Sequence, residues 1–160
     1  MLALSGTQAA GDNLRFRGNL VASACTVVAN GGMLADVTFP ALSASDLLRA
    51  PSAPQPFTLQ LDDCESALSN GVRVTFTGTE AAGLKGYLAL DAASAAGGVA
   101  IGIRTLAGSA VEINNATGAT FTLASGSNRL TLNAVVQAVP SASIASGAFS
   151  ASATANFEYL

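Results

Sequence analysis

Along most of the chain, apolar positions recur at every second residue. Leu14-Arg15-Phe16-Arg17 alternates apolar with charged, and Val72-Arg-Val-Thr-Phe-Thr77 and Leu130-Thr-Leu-Asn133 alternate apolar with polar. Successive side chains of an extended strand point to opposite faces, so each run reads as a strand with one buried face and one wet face. Val37-Thr-Phe39, Phe57-Thr-Leu-Gln-Leu61, Tyr87-Leu-Ala-Leu90, Val99-Ala-Ile-Gly-Ile103, Val111-Glu-Ile113 and Phe121-Thr-Leu123 add further short strands. Asn30-Gly31 and Asn70-Gly71 fall between such runs, where the left-handed backbone of a tight turn suits them. Residues 41–56 form a long connection with Pro40, Pro51, Pro54 and Pro56 around it, and it has room for one helical turn near Asp46-Leu-Leu-Arg49. No segment sustains a helical stripe. Many short strands between turn signals predict an all-β sandwich, and no repeat or linker marks a second domain.

The run from Gly147 is the most telling strand. Phe149, Ala151, Ala153, Ala155, Phe157 and Tyr159 share one face, while Ser150, Ser152, Thr154, Asn156 and Glu158 share the other. A sandwich normally closes its sheet with another strand after such an element, and none follows in this sequence. The expectation is either an inner strand paired on both sides or a sheet edge open to a partner.

Composition narrows the chemistry. At 160 residues the chain suits one domain with a real core. Histidine is absent, which removes the usual general base, the imidazole metal ligand and the Ser-His or Cys-His nucleophile pairs. Seven basic residues against ten acidic ones give a net charge of −3, too little positive charge for a nucleic-acid face. Asp62, Asp63 and Glu65 flank Cys64, but alternation sets Asp62 and Cys64 on one side and Asp63 and Glu65 on the other, which is wrong for convergent cation ligands. Lys85 has no distinctive serine partner, and Gly97-Gly98 reads as a turn before a strand. The expectation is no enzyme, no metal, no cofactor and no small-molecule substrate.

Cys25 and Cys64 are the two cysteines. Two thiolates without histidine do not complete a four-ligand zinc site, and their spacing is far from a redox C-x-x-C. A single disulfide is preferred over two free thiols. Closing a loop of this length would constrain the unfolded chain by roughly 4 kcal/mol, and it implies an oxidising compartment. Residues 1–9 are apolar and small, and Thr7 and Ala9 stand where a signal peptidase wants small side chains. Two readings fit them equally: a candidate signal-peptide remnant and an ordinary N-terminus.

Taken in order, Phe16-Arg-Gly-Asn-Leu-Val-Ala-Ser-Ala-Cys25, Phe57-Thr-Leu-Gln-Leu-Asp-Asp-Cys64, Val74-Thr-Phe-Thr-Gly78, Gly98-Val-Ala-Ile-Gly-Ile103, residues 128–134, and the ending with Gly147 and penultimate Tyr159 resemble a chaperone–usher pilin of the type 1 fimbrial kind. The resemblance runs over residues 14–160. It implies an incomplete immunoglobulin-like sandwich that lacks its last strand and is completed by a donor strand from outside. Residues 10–18 would be the N-terminal donor extension and residues 19–160 the pilin domain. Asp12, Leu14, Phe16 and Gly18 would lie in the donor strand, although Asp12 stands where family donors often carry glycine. The acceptor groove would be built in part by Gly147, Phe149, Ala151, Ala153, Ala155, Phe157 and Tyr159. The implied partners are a periplasmic pilus chaperone, an outer-membrane usher and neighbouring pilin subunits, with transit through the periplasm to an extracellular pilus. The alternative is an adhesin-like or solitary sandwich module that recognises a sugar or a protein, for which the scarcity of aromatic residues is a poor basis.

Overall fold

The computed structural model describes residues 14–18 and 24–160, and its ladders form where alternation is strongest. In chain order the elements are β1 (Thr26–Val27), α1 (Ala44–Leu47), β2 (Gln55–Cys64), β3 (Gly71–Thr77), β4 (Val99–Arg104), β5 (Ala110–Val111), β6 (Ala119–Thr122), β7 (Gly126–Ala138) and β8 (Thr154–Tyr159). One sheet runs β1-β2-β7-β4-β5 and the other β6-β3-β8, with antiparallel pairing throughout. Among the described residues α1 is the one α-helix, and no helix is long and apolar enough to cross a membrane.

The core lies between the two sheets. In β3 the alternation buries Val72, Val74 and Phe76 and turns Arg73 and Thr75 outward. Opposite them, β2 contributes Leu59 and Leu61, and β7 contributes Leu130 and Leu132. Phe57 meets Phe76 edge to face across the layers, ring centroids 6.4 Å apart. The Cys25–Cys64 disulfide ties the approach to β1 to the end of β2, with both residues buried. A smaller cluster of Leu47, Val99 and Val136 sits under α1, with Phe39 and Phe149 packed against it.

Several expected elements are different in the structure. Residues 37–39 and 14–17 join no ladder, and Leu88 makes only isolated bridges, to Glu80 and Ile101. Gly71 opens β3, while the reversal before it is made by the N–H groups of Leu68 and Ser69 donating to the Glu65 carbonyl. Asp62 and Cys64 are not on one side of β2. A bulge between Leu61 and Cys64, with Asp63 at φ 53°, inserts one residue so that Leu61 and Cys64 both face the core. Asp62 turns outward, where hydrogen bonds from Gln60 Nε2 and Ser127 Oγ hold its carboxyl below the usual range. Gly102 in β4 lies under the Tyr87 ring, and a Cβ there would come within 2.5 Å of it. The long C-terminal strand is regular over Thr154–Tyr159 alone.

Candidate functional site

A cavity of about 1030 Å³ opens along one side of the sandwich. One lip is residues 33–42, and the other is residues 144–155. Its floor is core apolar side chains, among them Phe57, Leu59, Phe76, Ile101 and Val136. Among the described residues that line it, Asp36 alone carries a charge.

The lips are edges of backbone without partners. From residue 34 to residue 42 no N–H or C=O makes a hydrogen bond, and the same holds for Phe149 and residues 151–153. Pro40 could not donate in any case. The second lip is held from behind: the Ala95 and Ala96 N–H groups donate to the Ala148 carbonyl, and the Asp91 N–H donates to the Ser150 carbonyl. Alternate residues of an extended chain direct their polar backbone groups to opposite sides. Ala148 and Ser150 therefore bond outward, and Phe149, Ala151 and Ala153 face the groove.

The lips meet where the Phe39 and Phe149 rings touch, centroids 6.0 Å apart. Beyond the cavity, the Tyr159 hydroxyl donates to the Cys25 carbonyl at 3.4 Å, and burial pushes the Tyr159 phenol above its ordinary range. Asn114 sets where the second lip begins. In left-handed backbone at φ 56°, it accepts from the Gly78 N–H at 3.1 Å and donates Nδ2 to the Gly78 carbonyl at 2.9 Å. That clamp follows the last pair of the β3 ladder, Thr77 with Thr154.

Of the residues read as groove residues, Gly147, Phe149, Ala151, Ala153 and Ala155 line the cavity. Phe157 and Tyr159 lie beyond it and pack half-buried on the main core. Gly147 is required as glycine, since φ is 142° and a Cβ would come within 2.6 Å of Ala95 Cβ. Leu14 and Phe16 are exposed, at 81% and 91%, with Arg15, Arg17 and Gly18 exposed beside them. None of these lines the chain's own groove. Asp12 falls outside the described residues.

The lip at residues 33–42 escaped the sequence reading as part of a site. Its one visible signal is Val37-Thr-Phe39, where Val37 and Phe39 are half-buried and Asp36 and Thr38 are exposed. The arrangement suits an extended peptide, whose backbone would bond to both lips while alternate side chains drop onto the floor. Among the described residues no cluster of acidic or cysteine side chains could hold a metal ion.

Comparison with known proteins gives one family. A model of the fimbrial protein family matches residues 14–160. The fimbrial-like protein YfcP of Escherichia coli strain K12 is 43% identical over all of this chain and 90% of its own length. The crystal structure of the P pilus rod subunit PapA superposes with a TM-score of 0.72 at 27% identity, covering 86% of this chain and 100% of that one. A subunit in a chaperone–usher pilus structure that addresses rod uncoiling gives a TM-score of 0.72 at 26% identity, covering 94% and 96%.

Proposed function

The chain belongs to the fimbrial protein family, a family of structural subunits and not of enzymes, and from that premise we propose that it polymerises by strand donation. Its groove receives an extended strand from a neighbouring subunit, and its own residues 10–18 are offered to the next groove. A periplasmic chaperone fills the groove first, and at the outer-membrane usher the arm of the incoming subunit replaces the chaperone strand. The finished polymer is an extracellular pilus on the cell surface.

One observation carries this reading: two facing backbone edges, at residues 34–42 and at Phe149, Ala151 and Ala153, lack hydrogen-bond partners over an apolar floor. Water satisfies such groups, but the floor gains nothing from water. A strand satisfies both lips and covers the floor in one step. The arm has the matching pattern, since Leu14 and Phe16 share one face and Arg15 and Arg17 the other. Moving each apolar side chain from solvent into the groove contributes about 1.5–3 kcal/mol.

The test replaces Leu14 and Phe16 together with aspartate in the full chain. Charge carried onto an apolar floor is costly. The double variant is expected to keep its disulfide, its β circular dichroism and its capacity to receive a strand, yet to form no polymer alone. Polymers of normal length from this variant would overturn the donor assignment.

A further inference from the structure

We propose that Asn30 is a site of spontaneous deamidation, in which the Gly31 nitrogen closes a succinimide on the Asn30 side chain, and that the isoaspartyl product loosens the turn from which the first lip begins. The sequence holds two Asn-Gly pairs, Asn30-Gly31 and Asn70-Gly71. Asparagine is thermolabile because its side-chain carbonyl carbon lies within reach of the next residue's nitrogen, and a following glycine leaves that nitrogen unshielded. By residue type the two pairs are equivalent, and the structure separates them.

Asn30, Gly31 and Gly32 are exposed, and the two glycines turn the chain at φ 58° and φ 83°. The turn is closed by two hydrogen bonds: the Asn30 N–H donates to the Met33 carbonyl at 2.8 Å, and the Met33 N–H donates to the Asn30 carbonyl at 3.0 Å. Neither belongs to a ladder, since β1 ends at Val27 and Asn30 and Met33 form an isolated bridge. Among the described residues the Gly31 N–H has no partner, and a Cβ at Gly31 would meet nothing within 4 Å. At the second pair Asn70 is exposed but its peptide link is held. The Asn70 carbonyl accepts from the Leu123 N–H at 2.8 Å, and the Gly71 N–H donates to Ser69 Oγ at 3.3 Å. Gly71 is buried and opens β3 in register with Thr122. Ring closure must turn the peptide link between the two residues. At Asn70 that breaks both of these bonds and the first pair of a ladder; at Asn30 it breaks the single bond from Met33.

The Gly31 nitrogen gives its proton to solvent and bonds to Asn30 Cγ, and the bond from Cγ to the side-chain nitrogen breaks, releasing ammonia. Water then opens the imide. Attack at Cγ leaves aspartate, and attack at the main-chain carbonyl leaves isoaspartate, with Gly31 joined through Cγ. Isoaspartate adds one carbon to the main chain, and the carbonyl that accepted from the Met33 N–H becomes a branch carboxylate. Met33 and Leu34 follow at once; both line the groove, and Leu34 packs on the main core. The inference does not depend on what fills the groove.

The experiment incubates the oxidised full chain at mildly alkaline pH, folded in buffer and unfolded in concentrated urea, and follows both pairs by peptide mapping with mass spectrometry. In urea the two pairs should deamidate at similar rates. In the folded chain Asn30 should lead Asn70 by about tenfold or more, because more hydrogen bonds must open at Asn70. Equal folded rates, or a faster Asn70, overturn the assignment. Asn30→Gln, which must close a larger ring, should abolish most of the ammonia released by the folded chain; undiminished release overturns it as well. The aged isoaspartyl chain is then separated by ion exchange and compared with Asn30→Asp, which has the new charge on an unaltered main chain. The Met33 amide should exchange about tenfold faster in the isoaspartyl chain than in Asn30→Asp. Equal exchange in the two would overturn the effect on the lip.

Discussion

The two halves of the C-terminal segment carry one alternating pattern and reach two different states. Residues 154–159 form β8 and pair with β3 from Thr77↔Thr154 to Val72↔Tyr159. Residues 147–153 repeat the same alternation, with Phe149 and Ala151 half-buried and Ser150 and Ser152 exposed, but they form no ladder. The neighbour makes the difference. β3 stops at Thr77, Asn114 clamps Gly78, and beyond that point the segment's backbone is hydrogen-bonded only from behind, by residues 91–97. Alternation states which face of a strand is apolar, and it is silent on whether the strand's edge finds a partner. In this chain the silent part is where the proposed function lies.

The largest expected effect breaks the paired half. Tyr159 ends β8 and reaches the Cys25 carbonyl, and Cys25 is fixed by its bond to Cys64. Cys25→Ser should lower the unfolding free energy by about 4 kcal/mol, the value for a loop of this length. Urea unfolding of the oxidised wild type against the variant measures it. Amide exchange should speed in β8, while the amides of Phe149, Ala151 and Ala153, already without partners, should change little. Unchanged stability would remove the disulfide from the forces that hold the paired half.

A smaller effect sharpens the comparison, because each half contains one phenylalanine on the same face. Phe157 packs on the main core, and Phe149 packs on the small cluster and against Phe39. With the groove empty, Phe157→Ala should cost about 2 kcal/mol and Phe149→Ala about 1 kcal/mol, both below the usual cost of a fully buried phenylalanine. With a strand peptide bound, the two costs should converge, since the peptide supplies the neighbours that Phe149 lacks. If the Phe149 cost does not change on peptide binding, its ring is not part of the occupied site.

How much of this was legible follows from what a period can encode. Val72, Val74 and Phe76 were readable as a buried face because β3 is regular and every second side chain meets the core. The same logic located the apolar face of residues 149–159 and left its pairing open. It failed at Asp62 and Cys64, where a bulge changes the parity of the strand, and no local residue type announces a bulge at Asp63. It also gave residues 87–90 as a strand. There Tyr87 serves to cover Gly102, a contact between positions far apart in sequence that no local pattern contains. The lip at residues 33–42 was hardest to see, because an edge that waits for another chain has no partner in its own sequence to match.

The smallest expected effect concerns pH at the end of β8. Burial raises the Tyr159 phenol above its ordinary range, so the folded state favours the neutral form more than the unfolded chain does. Stability from this preference is whole below the unfolded phenol's pKa and is lost as pH rises through the higher folded value. Tyr159→Phe removes the titration along with the hydrogen bond to Cys25. The wild type should lead the variant at neutral pH, and the lead should shrink as pH climbs through and past the ordinary phenol range, read as the difference between two urea midpoints. The half-buried ring packs on the same core in both proteins, so Tyr87 and all other titrating groups cancel in that difference. A lead that stays constant with pH would mean that Tyr159 ionises as freely in the folded chain as in the unfolded one, and the end of β8 would then not be tied to Cys25 by a desolvated hydroxyl.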